Sequence, residues 1–501
     1  MKRLFVVYPF LFAIFPILFI YSNNVKEVSF HQIIFPSLLI LLLVFILQLS
    51  LTIIFPDKQK KGLIILLFLL FFFSYGTFFN IFEDFTLAGL TVGRHSYLFP
   101  AWILIFLFGL FLISTIRRNL DKMTAYLNTV AIILLALIVF NVGMYELKSM
   151  DLSSKNKMEL LVQKYSSQKR METEKLPNIF YIILDGYGSS STLKEEYSYD
   201  NSKFEEFLKQ NGFYIASKSH SNYAETMLSL ASSLNMEHIS KLKGAVDVPL
   251  LYQMIQENRV MRILKAIGYT TIDISSNIGK LQHVRAANLN ITPGNFLADE
   301  FHATLIEISM LKAFKKQLNF VYFYREKILG TFSELGKIQL KIDQPFFAFV
   351  HILPPHPPYV FGPNSEPIFG SLKLDDWGTM WEQKERYRDQ VIFVNDMMMK
   401  VVHEILSESK CDPIIIIQGD HGPQLANKNK IKARMQIFNA IRLPKKDKNI
   451  FYDSITPVNT FRLIFNSYFD TGFELLEDKS YFTDYKYPYK FWDVTDSING
   501  N

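Results

Sequence analysis

Residues 177–188 read PNIFYIILDGYG: an unbroken apolar run, Ile179 to Leu184, leads straight into Asp185 and the turn Gly186-Tyr187-Gly188. A short run of β-branched and aromatic residues with no polar alternation, closed by glycines, reads as a strand buried on both faces. The pattern recurs at 414–422, where Ile414-Ile415-Ile416-Ile417-Gln418 runs into Gly419-Asp420-His421-Gly422. Further strand-like runs lie at Phe213 to Ala216, Thr270 to Ile274, Phe346 to Ile352 and Gln436 to Ile441. Between them, amphipathic spacing predicts helices at 201–210, 226–236, 250–266, 301–328, 382–408 and 456–468. Such alternation implies an α/β domain from 177 to 501 with a mainly parallel sheet covered on both faces, and catalytic groups at the carboxyl ends of its strands.

Upstream of this domain the composition changes. Residues 1–146 carry only 10 Lys+Arg and 6 Asp+Glu, a net +4, and the other 355 positions of the 501-residue chain carry the remaining charges with a net +2. Five apolar runs, roughly 4–21, 31–55, 62–79, 95–116 and 128–145, are each long enough to cross a hydrocarbon core, so the region 1–146 is expected to be a five-helix transmembrane domain. Lys2 and Arg3 before the first run also suit a signal peptide, but Leu18-Phe19-Ile20-Tyr21 lacks a small-residue cleavage pattern. Lys2, Arg3, Lys58, Lys60, Lys61, Arg117, Arg118 and Lys122 fall in one alternating set of connections, whereas Lys26 and Arg94 fall in the other. The positive-inside bias makes the first set cytoplasmic and places the α/β domain outside, in a multi-pass protein of the cell (inner or plasma) membrane. Residues 147–176 read as a polar juxtamembrane linker.

The small net charge beyond 146 argues against a nucleic-acid platform. The single cysteine, Cys411, excludes an internal disulfide and any cysteine-rich metal site, so a bound metal would need O and N ligands. Asp185, Asp420 and His421 supply those atom types at two strand ends, and carboxylates gathered on one rim call for a cation. Taken singly, each aspartate is more often a turn residue or a helix cap than a ligand, and the next element reverses that balance. A third element joins them: Ser221-Asn222-Tyr223-Ala224-Glu225-Thr226, a polar loop running into a helix, which sets the Thr226 hydroxyl near a helix N-terminus. Such an end suits an anion such as phosphate, although Thr226 also fits a plain N-cap.

Together PNIFYIILDGYG (177–188), NYAETMLSLASSLN (222–235), HILPPHPPY (351–359) and QGDHGPQ (418–424) resemble the alkaline phosphatase superfamily, in its membrane-anchored sulfatase-like branch of lipoteichoic acid synthases and phosphoethanolamine transferases. The resemblance implies Asp185, Thr226, Asp420 and His421 as ligands of a divalent metal (Mn, Mg or Zn), and Thr226 as the nucleophile. It implies His356 as a catalytic and substrate-binding histidine on the transferred group or leaving oxygen, with His351 a weaker substrate-binding candidate. The transferases often carry Glu where this chain has Asp185, one methylene shorter. The expected activity is transfer of a phosphorus-containing head group, of phosphoethanolamine or phosphoglycerol type, from a membrane lipid to an envelope glycan or lipid through a Thr226-linked intermediate. The alternatives are an extracytoplasmic hydrolase, phosphodiesterase or phosphatase, and a non-catalytic envelope scaffold. Formylglycine sulfatases need a C/S-x-P-x-R pattern, which Thr226-Met227-Leu228-Ser229-Leu230 lacks.

Other residues read as structural. Asp273 is expected to be a solvated strand-end residue, and His220 and His283 surface or neighbouring residues. Leu443 to Lys448 reads as a solvated basic turn, and Ser454 to Thr460 as a capped helix start. Trp377, Trp381 and Tyr387 suit either packing or a cleft wall.

Overall fold

The structure is a computed structural model that describes residues 5–25, 28, 30–83, 85–87, 90–91, 93–154, 176–241, 248–276, 284–294, 300–315, 320–342, 345–368, 380–426, 429–444, 450–484 and 487–499. Trp377, His283, 445–448 and most of the 147–176 linker fall outside them. The chain divides into two compact units, Met1–Lys155 with Phe296–Phe320, and Asn156–Asn295 with Val321–Asn501.

The first unit is built from apolar helices α1 (Tyr8–Asn23), α2 (Phe30–Ile54), α3 (Lys58–Phe82), α4 (His95–Thr115) and α5 (Asp121–Ser154), with a two-stranded hairpin, β1 (Thr86–Leu87) and β2 (Leu90–Thr91), between α3 and α4. Among the described residues four of them, α2, α3, α4 and residues 121–145 of α5, are long and apolar enough to cross a membrane. The expectation of five is corrected at α1, which has 16 residues. At 1.5 Å per residue it reaches about 24 Å, short of a hydrocarbon core of about 30 Å. It begins at Tyr8, with Pro9 in its first turn, and stops at Asn24, whose backbone N–H binds the Ile20 and Tyr21 carbonyls and whose side chain donates to Ile20 O.

In the second unit a seven-stranded sheet has the order β4-β9-β8-β3-β7-β5-β6. These are β3 (Ile179–Leu184), β4 (Phe213–Ile215), β5 (Thr270–Ser275), β6 (Leu289–Ile291), β7 (Phe346–Ile352), β8 (Ile414–Gly419) and β9 (Asn439–Arg442). Strands β8, β3, β7, β5 and β6 are parallel, and β9 runs antiparallel to both β8 and β4. Burial follows the two-residue period of a strand covered on both sides. Phe180, Ile182 and Leu184 face one apolar core, and Ile179, Tyr181 and Ile183 face the other. A second, two-stranded sheet pairs β10 (Tyr481–Asp484) with β11 (Tyr487–Asp493).

Two helix expectations change. The 250–266 stretch is two helices, Val248–Gln256 and Arg259–Ile267, because the Asn258 side chain accepts the Met261 N–H at 2.9 Å and caps a new helix there. The 301–328 stretch is likewise broken, into Glu300–Ile308, the 3-10 turn Met310–Phe314 and Phe320–Lys337. The first two pieces belong to the unit of apolar helices. Leu305 and Phe301 are buried among α1, α2 and α3, which one amphipathic period cannot distinguish from burial against a sheet.

Candidate active site

Register alone brings the two acidic strand ends together. In the parallel pair β3/β8, Leu184 stands opposite Gly419, so Asp185 and Asp420 leave adjacent strands side by side. Strands in a sheet lie about 4.8 Å apart. On the other flank of β3, Ile183 stands opposite His351 of β7. Gly186 holds φ +72°, a left-handed conformation that frees its N–H to donate to Asp420 Oδ1 at 2.9 Å. A Cβ there would sit 2.8 Å from the Trp381 ring. Tyr387 braces this turn, donating to Gly186 O at 2.8 Å and accepting from Gly188 N at 3.2 Å.

The helix Thr226–Asn235 delivers the hydroxyl. Glu225 is its N-cap but gives no side-chain cap, and Thr226 is the first helical residue, so its hydroxyl is not spent on capping. Thr226 Oγ1 lies 3.1 Å from His421 Nε2. One turn on, Ser229 Oγ donates to Asp420 O at 2.7 Å and pins the helix against the β8 loop.

The histidine tautomer follows from its other contact. His421 Nδ1 is 3.0 Å from Gly422 O, and a carbonyl only accepts, so Nδ1 carries the proton and Nε2 presents a lone pair. Burial, reinforced by Arg434, holds the His421 pKa well below the usual imidazole range, so the ring is neutral. Its Nε2 lies 3.6 Å from Asp185 Oδ1 and 3.5 Å from Asp420 Oδ2. Among the described residues, Asp185, Asp420 and His421 form a buried group whose ligand atoms all lie within 4.8 Å of one another.

These residues fit a divalent cation. Asp185 Oδ1 and Asp420 Oδ2 are buried with no hydrogen-bond donor, which is costly for a carboxylate without a counter-ion. Ligands about 2.1 Å from a tetrahedral metal are about 3.4 Å apart, close to the two separations from Nε2. The pair also titrates apart. Burial and the Asp185 charge push Asp420 up to about 7. Burial would also raise Asp185, but His356, His351 and His421 outweigh it and hold that carboxyl below its ordinary value.

His351 is fully buried, with Nε2 3.3 Å from Asp185 Oδ2. His356 donates its backbone N–H to Asp185 O at 3.0 Å, stands edge-on to Trp381 at 4.9 Å and has its ring 6.4 Å from that of His421. His356 Nδ1 lies 2.6 Å from Pro357 O, so the neutral ring keeps its proton there and can donate from Nε2 only as the imidazolium. Burial lowers its pKa, and Asp185 opposes that.

Arg434, in the short helix Lys430–Met435, has no counterpart in the sequence reading. Its Nε donates to Ala224 O at 2.7 Å and its Nη1 to Gly422 O at 3.1 Å, so one buried guanidinium ties the loop before Thr226 to the loop after His421. Glu225 lies 3.7 Å away, and the guanidinium sits 5.8 Å over the Trp381 ring. Donors to carbonyls leave no motif, so only the unusual burial of an arginine marks it.

Trp381 and Tyr387 are buried packing residues. Asp273 is not solvated: it is wholly buried, and its Oδ2 accepts the Val284 N–H at 3.3 Å. His220 is buried too, in a backbone bridge with Gln436. Thr456 does begin the helix Pro457–Phe469, but its hydroxyl donates to Asp478 at 2.6 Å instead of capping.

The sulfatase family model matches residues 177–461, more than half of the chain. No curated protein matches the sequence. Among solved structures, the zinc-complexed C-terminal periplasmic domain of EcEptC from Escherichia coli is 13% identical, with 64% of this chain and 94% of that chain covered at a TM-score of 0.42. The soluble domain of lipooligosaccharide phosphoethanolamine transferase A from Neisseria meningitidis is 9% identical, with 59% and 88% covered at 0.41. The integral membrane form of that Neisseria meningitidis protein is 11% identical, with 91% and 92% covered at 0.37.

Proposed function

This chain belongs to the sulfatase family, and on that footing we propose that it moves a phosphorus-containing head group, of phosphoethanolamine or phosphoglycerol type, from a membrane lipid to an envelope glycan or lipid. The chain is an enzyme of the sulfatase-like phosphotransferase or hydrolase type. The reading rests above all on one contact, the 3.1 Å approach of Thr226 Oγ1 to His421 Nε2 beside the buried Asp185/Asp420 pair. A threonine in the place of a formylglycine precursor points away from sulfate esters. The apolar helices would supply lipid donor at high local concentration, on the extracytoplasmic face in this proposal.

Asp185, Asp420 and His421, with Thr226, would hold the divalent cation, whether Mn, Mg or Zn; when bound it lowers the hydroxyl pKa and stabilises charge on phosphoryl oxygens. The chain's own groups do the rest. The Thr226 oxygen forms a bond to phosphorus as the bond to the lipid alkoxide breaks, and that alkoxide takes up one proton. An acceptor hydroxyl then displaces Thr226, whose oxygen recovers a proton. The uncapped first turn of the helix at Thr226 faces its N–H dipoles toward the anion. His356, charged once the anion binds, donates to an equatorial or leaving oxygen, and Trp381 and Tyr387 hold the Asp185 turn in place. Water in place of the acceptor gives a phosphodiesterase by the same residues.

Mass spectrometry of the purified full-length protein incubated with membrane lipid tests the reading. A head-group adduct on Thr226 is expected, absent in Thr226→Ala together with acceptor modification. An unmodified Thr226, with turnover persisting in Thr226→Ala, overturns it. Release of free head group in the absence of acceptor identifies the hydrolase.

A further inference from the structure

The chain leaves the α/β unit after residue 295 and returns at 321, and between these points it belongs to the unit of apolar helices. The contact is specific. A Cβ on Gly76 of α3 would lie 1.8 Å from Glu307 O, so the helix Glu300–Ile308 crosses α3 at backbone contact that only glycine admits. Beyond it, Met310 and Ala313 pack on Tyr75, Phe79 and Trp102. Phe314 meets Phe99 of α4 edge-on at 5.6 Å.

The depth of this contact is set by helix arithmetic. Gly76 lies six residues before the end of α3, or about 9 Å along an upright helix. α3 has 25 residues, about 37 Å, and overshoots a core of about 30 Å by some 3–4 Å at each end. The crossing therefore lies about 5–6 Å inside the hydrocarbon boundary, the depth of an interfacial helix. It is at the end of α3 away from Lys58, Lys60 and Lys61.

The charges suit that depth. Lys312 Nζ pairs with Glu307 at 2.8 Å, bonds Asn80 and lies 5.0 Å over the Phe79 ring, and Lys315 also pairs with Glu307. Each ammonium sits at the end of an apolar stem, as in snorkelling lysines. Two large apolar residues remain uncovered: Leu311 is 38% exposed, and Phe314, which meets Phe99 of α4, is 45% exposed. In water such an outward pair has no partner; beside a membrane-spanning helix its partner is acyl chain.

We propose that residues 300–314, though encoded in the middle of the α/β domain, form a membrane-embedded interfacial segment whose Leu311 and Phe314 contact the lipid leaflet on that side. The chain thereby enters the membrane-side unit a second time, between residues 295 and 321. This is independent of the chemistry at Thr226.

The test uses the full-length chain in phosphatidylcholine/phosphatidylglycerol nanodiscs, with the single cysteine removed as Cys411→Ser. An environment-sensitive nitrobenzoxadiazole dye is placed at Leu311→Cys, at Phe314→Cys, or at the exposed control Lys410→Cys. Dyes at 311 and 314 are expected to emit to the blue of the dye at 410, to be quenched by doxyl-labelled lipid and to be shielded from iodide. Adding Gly76→Leu should shift the 311 dye toward the emission of the control. Dyes at 311 and 314 that match the control in emission, with iodide quenching and no lipid quenching, overturn the proposal.

Discussion

Substituting Asp420→Asn separates a metal ligand from a structural carboxylate. In the metal-free chain Asp420 sits buried beside Asp185, and its pKa is pushed up to about 7 from 3.8. A folded-state pKa raised above the unfolded value means that the unfolded chain releases this proton first. Metal-free stability therefore falls as pH rises through the window from about 4 to 7. The charge on Asp420 therefore weighs on the metal-free fold at neutral pH and is relieved in acid. Asp185, whose pKa is depressed, contributes in the opposite sense but only below about pH 4, outside this window. The amide keeps the geometry: its oxygen can still accept the Gly186 and His421 N–H groups that Oδ1 accepts at 2.9 and 2.8 Å. Its NH2 faces Asp185 with no charge repulsion. In chelator at pH 8, Asp420→Asn should unfold at a higher temperature than the parent by several degrees, and the two should converge near pH 4. Saturating Mn should raise the parent and leave the variant unmoved. Thermal unfolding of the full-length protein in detergent, with chelator and with Mn, reads both effects. If the variant is less stable than the parent in chelator at pH 8 and Mn raises the two equally, Asp420 is a structural carboxylate and the metal assignment fails.

Arg434→Lys keeps the charge but offers one nitrogen where two carbonyls, Ala224 O and Gly422 O, are bridged at 2.7 and 3.1 Å. We expect about 2 kcal/mol lower stability and a kcat at least tenfold lower with KM little changed, read by denaturant unfolding and steady-state assay. His220 is buried, and that burial holds its pKa at about 4 against 6.5. Its folded pKa is depressed, so acidification from about pH 6.5 to 4 should remove about 3 kcal/mol of stability that His220→Asn does not lose, measured by unfolding at several pH values.

Much of this protein is local and therefore legible from the chain. The runs Ile179 to Leu184 and Phe346 to Ile352 are strands with those bounds, because each holds six apolar residues, mostly β-branched or aromatic, between turn formers, too short a stretch for a buried helix. Asp185 and Asp420 stand out because each ends such a run, and Thr226 because a polar loop meets an apolar helix there. Less is legible where burial comes from partners remote in sequence. His220 and Asp273 read as ordinary polar residues until the sheet and its helices cover them. Arg434 acts through backbone carbonyls, which every residue has and no sequence marks. The segment 300–314 has the same period whether it covers a sheet or wedges among membrane helices. Only the glycine at 76, far upstream, records the choice.

What the sequence by itself determined, then, is the kind of each element and the chemistry at its end, since both depend on neighbours a few residues away. What the tertiary structure alone decided is the strand order β8-β3-β7, which sets Asp420, Asp185 and His351 on three adjacent strands, and the placement of Thr226 over them. The physical reason is that pairing between strands hundreds of residues apart is selected by packing of the whole domain, to which each run of isoleucines contributes alike.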